Sequence, residues 1–169
     1  MDESSVNSGM TRLYGWGLKS ERINDYVPDV RFERTSIISA LGLRGVVAPL
    51  MYTGTLNSEL FGTYVKQCLA PALQECDTLV MDNLAPHKVS GVIQPLIDKG
   101  IKVLFLPPYS PDFNPIELMW AKMKAILRIL KPRNPEEMQS AMRNALLCVK
   151  DSDCDGWFRH CGYCETELM

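Results

Sequence analysis

The chain predicts an α/β domain with a mixed sheet flanked by helices, and three observations carry that prediction. Two β-rich runs, Thr35 to Leu43 and Val46 to Thr53, are separated only by Arg44-Gly45, which is a hairpin signal. Two short apolar runs, Thr78 to Met81 and Ile101 to Leu106, have the pattern of strands buried on both faces. Segments of helical periodicity separate and follow them, the strongest from Asn114 to Leu130. The order hairpin, helix, strand, helix, strand, helix, helix belongs to an α/β fold.

Taken in order, residues 5–34 are turn-rich, with Gly9, Gly15, Gly17 and Pro28, and read as loops with at most one short strand. After the hairpin, Asn57 is suited to cap a helix that carries Leu60, Phe61, Tyr64, Val65, Cys68 and Leu69 at helical spacing. Ser90 to Lys99 reads as a helix stopped by Gly100. In the helix from Asn114, residues Ile116, Met119, Trp120, Met123, Leu127 and Leu130 share one face. A last helix is expected from about Asn134 to Lys150. No repeat, low-complexity tract or interdomain linker interrupts the chain, so residues 1–169 are expected to form one domain.

A length of 169 residues suffices for a single buried core. No apolar run approaches the ~20 residues that span a bilayer, and the N-terminus shows no secretory signal, so no membrane partner and a cytoplasmic location are expected. The net charge of −2 argues against whole-chain affinity for polyanions, but the charges are segregated. Lys99 to Arg133 holds seven bases against Asp112 and Glu117, whereas the rest of the chain from Asn134 is net acidic. A basic stretch around carboxylates suits a site that holds a polyanion; a solvated helix face is the plainer explanation of the same charges. Six cysteines without a signal peptide read as free thiols. Cys154, His160, Cys161 and Cys164 make a poor zinc site, since only one Cys-x-x-Cys pair exists and His160 adjoins Cys161.

Two carboxylates stand where they are costly or rigidly placed. Asp82 follows Leu79-Val80-Met81, at the end of a strand where open α/β sheets place ligands. An Asx-type turn would also account for Asp82-Asn83. Glu117 lies three residues after Asn114, with Pro115 at the first helical position, and this is also how a capping box is built. The same Asn-Pro-x-Glu recurs at Asn134-Pro135-Glu136-Glu137, so the pattern alone specifies only a helix start. Context separates the copies. Glu117 follows the stiff stretch Pro107, Pro108 and Pro111, and is in line with Ala121, Lys124 and Arg128 beside the apolar stripe. With a third acidic pair at Asp2-Glu3, the acids suggest two-metal phosphoryl transfer. Hard carboxylate oxygens suit Mg²⁺, whereas histidine and cysteine would favour softer metals.

Asp82-Asn83-x-x-x-His87-Lys88 and Leu106-Pro107-Pro108-Tyr109-Ser110-Pro111-Asp112-Phe113-Asn114-Pro115-Ile116-Glu117, with 34 residues between the two acids, resemble the DDE domain of the insertion sequence 630 family, bacterial relatives of the mariner transposases. Asp2-Glu3-Ser4 resembles that family's first acidic motif, and Phe158-Arg159-His160-x-Gly162-Tyr163 its C-terminal signature. The resemblance implies a ribonuclease-H-like fold and Mg²⁺-dependent (or Mn²⁺-dependent) DNA strand cleavage and strand transfer. It implies Asp2, Asp82 and Glu117 as catalytic metal ligands. Asn83 and His87 lie close enough in sequence to Asp82 to support it, an ordinary turn hydrogen bond accounting for each equally well, and Lys122, Lys124, Arg128 and Lys131 of the basic stretch are the candidates to bind DNA. The implied partners are double-stranded DNA (transposon ends and target) and either a second copy or a separate DNA-binding half, acting at the nucleoid.

The chain departs from the family in lacking helix-turn-helix modules. Only Met1 precedes Asp2, which implies that most of the first central strand is missing and that Asp2 loses its anchor. An N-terminally truncated catalytic domain is therefore expected. The alternatives are a non-catalytic remnant that binds or regulates intact transposase, and another ribonuclease-H-like nuclease.

Overall fold

The computed structural model describes residues 1–26, 28, 34–83 and 91–163. Strand β1 (Asp2–Asn7) pairs antiparallel with β2 (Arg34–Gly42), and β2 pairs antiparallel with β3 (Gly45–Thr53). The expected hairpin is present, and Gly45 accommodates its turn at φ +116°, a conformation that side-chain-bearing residues avoid. Helix α1 (Ser58–Tyr64) continues through a π turn, Val65–Leu69, into α2 (Ala70–Ala72). Asn57 caps α1 as expected, its side chain accepting from the Leu60 N–H at 2.8 Å. Strand β4 (Thr78–Met81) runs parallel to β5 (Lys102–Phe105), with α3 (Gln94–Asp98) between them in sequence. The chain ends in α4 (Pro115–Leu130), α5 (Pro135–Leu147) and α6 (Asp151–His160).

Period-2 alternation along β2 sets the layering. Ile38 and Ala40 join Phe61, Tyr64, Val65 and Leu69 in one core, together with Leu79, Met81, Leu96 and Ile101. Ile37 points the other way, into a second core built from Ile116, Met119, Trp120, Met123 and Leu127 of α4 and Met138, Met142 and Ala145 of α5. Thus α4 and α5 lie against one face of the antiparallel sheet and the helix from Ser58 against the other. The periodicity read from Ile116 to Leu127 is the buried stripe, whereas Leu130 is 52% exposed where the helix ends.

Four expectations change. Asp2 opens a strand rather than losing its anchor: the residues after it carry β1, and Asp2 itself sits opposite Ser39 in the ladder. The strands form two ladders, and the described contact between them at this point is the Met1 amino group donating to the Val80 carbonyl at 2.7 Å. β5 is not a buried strand. Leu104 and Phe105 are exposed, because β5 pairs with β4 on one side and no described strand covers the other. The helix read from Ser90 to Lys99 is described as helical only over Gln94–Asp98, after a turn at Gly91 with φ +82°, while Gly100 stops it at φ +79° as expected. Helix α6 was not expected at all. Its start is held by the Asp153 carboxylate accepting from the Lys150 N–H at 2.9 Å. No helix among the described residues is long and apolar enough to cross a membrane.

Candidate active site

Three elements deliver one carboxylate each to a common cleft. Asp2 opens β1, Asp82 follows the last residue of β4, and Glu117 lies in the first turn of α4. All three line a cleft of about 400 Å³, with Asn83, Asn114 and the stretch Leu106 to Pro111 as its other walls. The Leu106 N–H donates to the Met81 carbonyl at 2.8 Å, so the ends of the two parallel strands are locked where the cleft begins. Strand C-terminal ends are where α/β sheets present ligands. At the cleft wall Tyr109 is fully exposed at φ +57°, a costly conformation for an aromatic residue, between Pro108 and Pro111.

The two Asn-Pro-x-Glu copies part company here. Asn134 caps α5 by accepting from the Glu137 N–H at 2.8 Å, and the Glu137 carboxylate accepts from the Arg133 N–H at 2.8 Å. Asn114 makes no side-chain cap bond to α4; it is buried at ψ 96°, and Glu117 faces the cleft. A distant contact reaches the turn just before Asn114. The Tyr163 hydroxyl donates to the Phe113 carbonyl at 2.7 Å, and Phe158 packs edge-on against the Tyr163 ring. The C-terminal signature thus holds the turn Pro111–Phe113 that leads into α4. Asn134→Ala is expected to destabilise the fold by about 1 kcal/mol, the usual worth of a helix cap. Asn114→Ala has no cap bond to lose, and its effect falls on the cleft. Denaturant unfolding of the two variants checks this, and a cap-sized loss shared equally by both would contradict it.

Asp2 is the most constrained of the three acids. It is 7% exposed, and the Trp120 indole N–H donates to its Oδ2 at 3.2 Å. Burial pushes its carboxyl up to about 6, with the charges of Glu117 and Asp82 adding to the rise and a backbone hydrogen bond at Glu3 opposing it. A carboxylate disfavoured by its fellow acids is poised to gain from a cation. The donors in the cleft are oxygens, which suits hard divalent ions. Among the described residues no three His, Cys, Asp or Glu side chains close around a single point. The acids line an open cleft, an arrangement compatible with ions that keep several waters of their own. Asp2, Asp82 and Glu117 therefore fit such ions.

The remaining expected residues are placed unequally. Asn83 lines the cleft, whereas His87 lies outside the described residues, as does Cys164. Lys124 lines a second pocket that also reaches the three acids. Lys122 is ion-paired with Asp153, and Lys131 with Asp25 at 2.7 Å. Arg128 is half-buried one turn beyond Lys124. Sequence reasoning missed Trp120 as the partner of Asp2, since helical periodicity marks it only as core. It also missed Arg34, which shares the second pocket with Lys124 and carried no local signal.

Residues 1–139 match the family described as DDE superfamily endonuclease. Among solved structures, the Mos1 transposase paired-end complex with left transposon end matches with a TM-score of 0.78 at 18% identity, over 95% of this chain and 50% of that one. The Mos1 strand transfer complex gives 0.77 at 18% identity over the same shares of the two chains. The catalytic domain of Mos1 mariner transposase gives 0.67 at 17% identity, over 76% and 69%. The chain spans about half the length of the Mos1 chains in the two complexes. At these identities the likeness establishes the fold, the ribonuclease-H-like arrangement expected from the sequence. Curated protein sequences return no match.

Proposed function

Because the chain belongs to the DDE superfamily of endonucleases, we propose that it is the catalytic domain of a transposase, cutting DNA strands and joining their ends in transposition, with Asp2, Asp82 and Glu117 as its acids. The observation that carries this reading is the convergence of three acids, from β1, the end of β4 and the start of α4, on one cleft. Within the superfamily, the stretch Leu106 to Glu117 and the spacing from Asp82 favour the insertion sequence 630 family.

The residues divide the work. Trp120 fixes the orientation of Asp2, the first turn of α4 presents Glu117 to the cleft, and the locked ends of β4 and β5 hold Asp82 beside it. Mg²⁺ or Mn²⁺ held by these acids would activate the attacking hydroxyl and offset charge on the leaving oxygen. Mos1 has been crystallised with each of these ions. Asn83 and His87 are assigned to support Asp82, and Lys124 and Arg128 to meet the DNA backbone. Transposon ends and target DNA are the proposed partners, with a second copy or a separate DNA-binding half completing the assembly at the nucleoid.

The test is nicking of duplex DNA bearing the element's terminal repeats. Cleavage is expected with Mn²⁺ or Mg²⁺ and none in EDTA. Asp82→Ala and Glu117→Ala are each expected to slow it by about 10³-fold or more, corresponding to several kcal/mol of lost charge stabilisation. Metal-independent nicking, or full activity in both variants, would overturn the assignment. Co-purification with intact transposase without any cleavage would favour a non-catalytic remnant instead.

A further inference from the structure

A second pocket of about 590 Å³ opens beside the first and shares Asp2, Asp82 and Glu117 with it. The two differ in chemistry. The first is walled by leucine and prolines, the second by the hydroxyls of Ser36, Tyr52 and Thr55 and by the cations Arg34 and Lys124. The three acids mark the junction, so anything reacting there extends into one arm or the other.

Lys122 and Lys131 are occupied by Asp153 and Asp25, but no ion pair among the described residues engages Arg34 or Lys124. The acid nearest in sequence to Asp2, Glu3, accepts the Tyr52 hydroxyl at 3.1 Å, which draws part of its charge into an internal bond. Burial, then the Glu3 charge, pushes the Tyr52 phenol up to about 12, so it remains a donor at any working pH. The Ser36 hydroxyl is likewise engaged, donating to the Gly54 carbonyl at 2.9 Å, so beyond the acids the groups that face an anion in this arm are the cations Arg34 and Lys124.

We infer that this arm is a phosphate-binding subsite, in which Arg34 and Lys124 hold the backbone of the DNA strand beside the reacting phosphodiester. The inference rests on the reading of the three acids as a DNA-cleaving site. Lys124 lies two turns beyond Glu117 on α4, about 10.5 Å along the axis at ~1.5 Å per residue. Arg34, at the start of β2, closes on the backbone from the sheet side and can engage a phosphate through two parallel N–H bonds.

Binding of a fluorescein-labelled DNA duplex to the full chain in EDTA, by anisotropy across a salt series, tests this without cleavage. Arg34→Gln and Lys124→Gln are each expected to weaken binding and to flatten the log K against log salt slope by about 0.9. The double variant flattens it by about twice that, Arg34→Lys restores the wild-type slope, and Lys66→Gln, outside both pockets, leaves it unchanged. Wild-type slopes in both Gln variants would overturn the subsite. So would a flattened slope in Arg34→Gln that Arg34→Lys fails to restore. Cleavage by Asp82→Ala, assayed separately, reports on the underlying reading: its persistence discards the acids' role, whereas its loss beside unchanged salt slopes discards only the subsite.

Discussion

Asp2→Asn is expected to stabilise the metal-free protein at neutral pH while abolishing the metal-dependent cleavage proposed for it. Asp2 is nearly buried, and its carboxyl is pushed up from 3.8 to about 6, chiefly because burial penalises the charge, with the charges of Glu117 and Asp82 adding to the rise. The folded state therefore holds the proton more tightly than the unfolded chain. The stabilisation this provides is complete below pH 3.8 and is lost as pH rises through 6. By pH 8 the folded chain carries an ionised Asp2 at a cost of about 3 kcal/mol, at ~1.36 kcal/mol per pKa unit.

Asparagine removes that charge, and its side-chain carbonyl can still accept from the Trp120 indole. In EDTA at pH 8, a gain of about 2 to 3 kcal/mol over wild type is expected, shrinking towards zero as the pH falls to 4. Mg²⁺ reverses the order, since ions that bind only the folded state stabilise it by mass action and Asn is a poor ligand for them. Unfolding midpoints of both proteins across this pH range, with EDTA and with Mg²⁺, give the measurement. A variant less stable than wild type in EDTA at pH 8 would show that Asp2 is not strained by its neighbours.

What the sequence disclosed follows the range of the forces involved. The Arg44-Gly45 turn, the Asn57 cap and the Thr78 to Met81 strand are settled by neighbours a few residues away, and each was legible. Asp82 and Glu117 drew notice through spacing and a proline-stiffened approach, and Asp2 through its acidic pair with Glu3 and the resemblance; that the three share one cleft is what the structure adds. The two Asn-Pro-x-Glu copies follow the same local pattern, yet Asn134 caps α5 while Asn114 makes no cap bond and the turn before it receives a bond from Tyr163, 50 residues beyond Phe113. The exposure of β5 depends on which strands flank it, which periodicity does not encode. Helix α6 was missed because its polar, glycine-containing sequence buries little apart from Cys154; its acidic first turn was the available signal. Arg34 meets Lys124 only through the hairpin's placement against α4.

Trp120→Ala is expected to be the most damaging single change in the core, and comparison with Trp120→Phe separates its two roles. Trp120 is 1% exposed amid Ile116, Met119, Met123 and Leu127, in the core that joins α4 to the sheet. Truncation to alanine leaves a cavity that rigid neighbours only partly fill, at a cost of about 3 to 5 kcal/mol. That is a large fraction of the 5–15 kcal/mol that stabilises a typical domain. Phenylalanine keeps most of the ring volume but removes the indole N–H that donates to Asp2 Oδ2. Losing a donor to its charged form pushes the Asp2 carboxyl further up. Trp120→Phe should therefore fold, yet require higher pH or more Mg²⁺ than wild type for half-maximal nicking. Denaturant unfolding quantifies the cavity, and nicking titrated with Mg²⁺ at several pH values isolates the hydrogen bond. If Trp120→Phe matched wild type at limiting Mg²⁺, the indole would be core packing only, and Asp2 would owe its orientation to the β1–β2 ladder alone.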